Sequence, residues 1–123
     1  MSNILKTVFA ASALFAGSYA LACDYPERPH IPDGAAASKD QLLDAKAGVQ
    51  IFIAAVDEYL TCLEDEEKAA VAELENPAQE ELQRRNDMLN KKFDAANEEK
   101  ALVGEQFNQQ IRVYNQKLKE SKE

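Results

Sequence analysis

The chain has 123 residues, 46% hydrophobic and 29% charged, with 14 Lys and Arg against 22 Asp and Glu, one His, two Cys and no Trp. This length bounds one small domain, too little for a large catalytic cleft with its own supporting shell. A net charge of −8 repels phosphate backbones and anionic lipid, so no nucleic-acid partner is expected, and four Gly with four Pro are too few for an all-β domain full of turns.

Residues 1–22 read as a secretory signal peptide: a positive charge at Lys6, an apolar run over residues 7–16, a break at Gly17-Ser18-Tyr19, and the small-residue pattern Ala20-Leu21-Ala22. The apolar run is shorter than the roughly 17 to 25 residues of a spanning helix, so a membrane anchor is the weaker reading. Cleavage is expected after Ala22, with Ala20 as the alternative. Either cut removes Lys6 and leaves a charge of −9. A product beginning at Cys23 also resembles a lipoprotein precursor, but Ala20 and Leu21 stand in the reverse of the usual order, so membrane attachment is expected only if Cys23 is acylated. The expected location is periplasmic or secreted.

Residues 23–37, CDYPERPHIPDGAAA, form an extended Pro-rich strap, because Pro26, Pro29 and Pro32 fix φ and deny amide donors. With two cysteines in an exported chain, the disulfide Cys23–Cys62 is the only intrachain pairing available; two free thiols are the alternative. The strap must then double back along the first helix.

Ser38 offers an N-cap with Gln41 completing a capping box, and Leu42, Val49, Val56, Leu63 and Ala70 recur at heptad spacing, with Ala45, Phe52 and Tyr59 between them. This predicts a helix over 38–75. Asn76-Pro77 reads as a second N-cap and first-turn proline, with Gln79 completing the cap, opening a helix over 77–118 and leaving a polar tail at 119–123. Its stripe is Leu82, Leu89, Phe93, Ala96, Val103, Phe107, Ile111, Tyr114 and Leu118.

The two stripes mirror each other. Leu63 meets Leu89, Tyr59 meets Phe93, Val56 meets Ala96 and Val49 meets Val103 if residues whose numbers sum to about 152 share a layer of an antiparallel hairpin. Phe52 would face Lys100, whose stem can cover the ring. The expected fold is therefore all-α, a coiled-coil-like two-helix hairpin with an extended N-terminal strap. A single helix kinked at Pro77 is the rival, and it would expose both stripes.

One shoulder of the hairpin carries Gly48, Ile51, Ala55 and Cys62 with Met88, Ala95 and Val103, and Tyr25, Pro26, Pro29 and Ile31 of the strap are expected to pack there. The opposite shoulder carries Asn86, Asn90, Asn97, Gly104, Asn108 and Asn115 within about 40° of arc, facing Leu42, Ile53 and Leu60. Asn is a mediocre helix former. This stripe is read either as a surface for a protein partner or homodimer, with Ile53 and Leu60 contributing, or as a solvated boundary.

No catalytic constellation is expected. His30 is alone in the strap, one His with two distant Cys cannot build a zinc or copper site, and Glu64-Asp65-Glu66-Glu67 lacks a calcium loop. No cofactor and no enzyme activity are expected. CDYPERPHIPDG, YLTCL, RRNDML and FNQQIRVY together resemble a family of small exported helical proteins of Gram-negative bacteria. The resemblance implies an exported helical protein, carries over no catalytic residue, and favours pairing of Cys23 with Cys62. Two functions follow as expectations: a non-enzymatic envelope interaction protein, or alternatively a chaperone-like holdase of the envelope.

Overall fold

The structure, a computed structural model, describes residues 23–123. The expected signal peptide and its cleavage sites lie outside the described residues. An extended strap leads into α1 (Lys39–Ala72, 34 residues), a short turn, and α2 (Gln79–Glu120, 42 residues). The chain is an antiparallel helical hairpin, and the rival of one kinked helix is overturned by the packing of α1 on α2. At about 1.5 Å per residue the helices run roughly 50 and 63 Å.

α1 begins where the capping box places it. The Ser38 hydroxyl accepts from the Gln41 amide at 3.2 Å, and the Gln41 side chain accepts from the Ser38 amide at 2.8 Å. Its end comes three residues before the expected boundary at 75, and α2 starts two residues after the expected 77. Asn76 is not the helix cap expected of it: it adopts φ 45°, a left-handed conformation that Asn tolerates and that turns the chain back. Pro77 disfavours helical geometry at Asn76, so α1 cannot run unbroken through the turn. Ala78 caps α2 without a side-chain bond, and Glu80 and Glu81 meet the positive end of the helix dipole instead. Lys117 and Lys119 complement the other end, and α2 continues to Glu120, two residues into the expected tail.

The core follows the heptads. Val49, Phe52, Val56, Leu60 and Leu63 of α1 pack with Ala96 and Val103 of α2, and Val56 and Val103 are fully buried. Toward the turn, Arg85 donates to both carboxylate oxygens of Glu67 at 2.7 and 3.0 Å. That bidentate pair fixes the register of the hairpin, and the hydrogen bond to Glu67 holds the guanidinium pKa above its ordinary value. Lys100 reaches Asp57 at 2.5 Å.

Candidate interaction surface

Two helices in contact leave a groove on each side, and the strap decides which one is closed. Cys23 and Cys62 are joined by a disulfide with Cα atoms 5.7 Å apart. From that pin the strap runs toward the open end of the hairpin. Tyr25 sets its ring edge-on to Tyr59 at 5.1 Å and to Phe52 at 6.4 Å, so the strap covers the Phe52 ring from this side. Tyr25 is pushed above its ordinary pKa by partial burial, with Glu99 and Tyr59 adding to the shift and Arg28 opposing it.

Arg28 holds the strap to α2 through Glu99 at 3.2 Å and Gln106 at 3.0 Å. Asp33 then turns the chain: its carbonyl accepts from Ala36 and Ala37, and its carboxylate accepts from the Ala35 amide at 2.9 Å, an Asx turn. The turn presses Gly34 onto α2, where its amide donates to Gln110 Oε1 at 2.8 Å. A Cβ on Gly34 would lie 2.0 Å from the Gln110 carbonyl oxygen, so only glycine fits. Arg28, Gly34 and Gln110 lie in the CDYPERPHIPDG and FNQQIRVY segments, but the sequence assigns them no contact role; the Pro32-Asp33-Gly34 turn signal points at the second of them.

The expected landing zone of the strap is corrected in part. Gly48 lies beneath it, with Pro29 Cβ at 3.6 Å from where a Gly48 Cβ would sit, and Ile31 packs on the core. Ile51 and Met88, expected under the strap, are exposed at 69% and 56%. The strap lies in the groove between the helices and not over the outer shoulder, because the aromatic rings of Phe52 and Tyr59 give Tyr25 edge-on contacts there.

The other groove carries no strap. Asn86, Asn90, Asn97, Asn108 and Asn115 are all exposed along this edge of α2, and Ile53 is half-buried on α1. Leu60 is 7% exposed and belongs to the core, so it is not part of an accessible surface as expected. It lies at the edge of the seam, where the packing of α2 covers it. Gly104 is half-buried, and a Cβ there would meet nothing within 4 Å. Near the open end this side forms a groove of about 400 Å³ lined by Lys39, Leu42, Leu43, Lys46, Phe107, Asn108, Ile111, Tyr114 and Asn115. Toward the turn it continues past Glu64, Glu67, Lys68 and Val71.

Among the described residues no group of three or more His, Cys, Asp or Glu is arranged to hold a metal, and no helix is long and apolar enough to cross a membrane. No family model, curated protein or solved structure matches the chain.

Proposed function

We propose that the protein is an exported, non-enzymatic helical interaction module of the cell envelope whose strap-free face binds protein. The observation that carries this reading is the asymmetry of the two grooves. One is filled from Cys62 to the open end by the chain's own disulfide-pinned strap, with a cavity of about 250 Å³ beside Arg85 and Met88 left toward the turn, while the other leaves Leu43 at 53% exposure beside Phe107, Ile111 and a row of carboxamides. Carboxamides both donate and accept, so they suit a protein surface better than an apolar ligand. The disulfide supports export, because such links persist in oxidising compartments.

A holdase would need a broad apolar concavity. The exposed large apolar residues Ile51, Met88 and Leu102 instead lie apart from the strap-free groove. The test is a photo-crosslinking residue at Asn108, with one at Asp24 on the strap as control, followed by mass spectrometry of the envelope. One stoichiometric protein adduct at 108 alone is expected. Many unrelated adducts, together with suppressed aggregation of an unfolded envelope protein, would favour the holdase.

A further inference from the structure

The chain has three glycines among its described residues, and the strap accounts for two of them. Gly34 is pressed against the α2 backbone, and Gly48 lies under Pro29. Gly104 sits in the middle of α2 with open space where its side chain would be. Glycine inside a helix is destabilising relative to alanine, and no contact within the described residues needs it there. Its vacancy faces outward on the strap-free side, on the same arc as the asparagines.

That arc is also free of carboxylate. Asp87, Asp94, Glu98 and Glu105 fall about 60 to 100° beyond the centre of the asparagine stripe by helical geometry, so from Asn86 to Asn115 the edge carries amides, apolar residues, Gly104 and Lys100. Lys100 is already paired with Asp57. In so acidic a chain, clearing one edge of acid removes the repulsion that a second acidic chain would meet there. A basic partner would find no matching row of carboxylates on α2.

Resting on the reading of this face as a protein-binding surface, we infer that its partner is a second copy of this chain, docked antiparallel about a two-fold axis level with Phe52 and Lys100 to form a four-helix bundle. The two helices locate the axis independently. On α1 an antiparallel copy sets Lys39 against Glu64 and brings Lys46 beside the Asp57 that Lys100 already holds, since Lys39 to Lys46 and Asp57 to Glu64 are each one heptad and all four residues lie on this edge. On α2 the same level sets Asn86 against Asn115 and Gly104 against Asn97. The glycine then admits the facing carboxamide, and the amide row meets itself, donor to acceptor. A parallel copy, with the two-fold along the helices, would lay α1 against the partner's α2 and lose both the Lys39–Glu64 pairing and the meeting of the amide row with itself. An isologous contact of this kind closes on itself and covers the exposed Leu43 and the half-buried Ile53 of both chains.

The test is sedimentation equilibrium of the purified, disulfide-intact protein across micromolar concentrations, with circular dichroism on the same samples. Wild-type protein is expected at twice the chain mass. Gly104→Leu is expected to raise the dissociation constant at least about tenfold while leaving helicity equal or higher, because its side chain enters open space within the monomer but collides across the interface. Lys39→Glu and Glu64→Lys should each weaken the dimer, and the double exchange should restore it. A wild-type monomer at every concentration, an unaffected Gly104→Leu dimer, or a double exchange without recovery would overturn the inference. If the wild type is monomeric but the Asn108 crosslink captures one other protein, the dimer falls and the interaction module stands. If it is monomeric and that crosslink captures nothing, both fall.

Discussion

The two grooves of the hairpin start from the same heptads and end with opposite fates. On one side Phe52 and Tyr59 present rings that Tyr25 covers, Arg28 bridges to Glu99 and Gln106, and Gly34 seats the strap on the α2 backbone. On the other, no segment among the described residues returns, and asparagines stand where the strap side has Glu99, Gln106 and Gln110. The difference teaches that a two-helix hairpin, which buries a single seam, gains a second layer from a covalently tethered strap on one flank only. The polarity of the other flank is a separate feature of the sequence, independent of what the fold needs.

The sharpest contrast is between neighbours on α1. Phe52 is 2% exposed and Ile51 is 69% exposed. Phe52→Ala should cost about 3–5 kcal/mol in urea unfolding, through lost burial and the cavity left behind, while Ile51→Ala should stay within about 0.5 kcal/mol. Equal effects would erase the distinction between the closed side and the outer shoulder.

Removing the pin is the next largest change. Closing the 39-residue separation between Cys23 and Cys62 stabilises by roughly 4 kcal/mol in the chain-entropy model. Replacing both cysteines with serine should therefore lower stability by about that amount. Limited proteolysis of the variant should cut within residues 24–37 well before the helices. If the strap stays protected, its noncovalent contacts suffice to hold it.

Gly34→Ala tests the far end of the same strap. With the α2 backbone in the way, the turn must lift, at a cost of about 1–3 kcal/mol, and cleavage should appear near residues 33–37 while the Cys23 end stays bound. Unchanged protease resistance would show that α2 yields instead.

The strap-free side should respond oppositely. Changing Asn97 and Asn108 together to alanine should leave monomer stability unchanged or raise it by a few tenths of a kcal/mol, from helix propensity alone. Thermal melting at low concentration checks this, and a clear loss would mean that the amides serve the monomer.

The smallest effect is set by pH. The Tyr25 pKa is raised in the folded state, so its proton is held more tightly there than in the unfolded chain. That contribution is intact below pH 10, the unfolded value, and is lost as pH rises through the higher folded value. Melting temperature should therefore fall more steeply above pH 10 in the wild type than in Tyr25→Phe. Parallel curves would show that the ring is not desolvated.

Much of this architecture is written in the sequence, because it depends on periodicity and on the number of cysteines. The heptads specify the seam, Ser38 and Gln41 specify the start of α1, and a lone pair of cysteines leaves one intrachain disulfide. The turn at Asn76 is not legible in the sequence, since an Asn-Pro pair suits either a helix cap or a left-handed reversal, and only the close approach of the two helices selects the second. The strap's path was legible to the nearest shoulder but not to the groove. A helical wheel gives direction without depth, which is why Ile51 and Met88 were expected beneath the strap and Leu60 at the surface. Gly34 is intelligible only with Gln110 beside it, a partner 76 residues away that no local pattern announces.

The one-sided closure is tested most directly by a nuclear Overhauser spectrum of the oxidised protein in solution. The Tyr25 ring should show cross-peaks to Phe52 and Tyr59, and the Gly34 amide to the Gln110 side chain, all weakening when the disulfide is reduced. Cross-peaks from Tyr25 to Ile53 or Ile111 instead, or none to either helix, would contradict it.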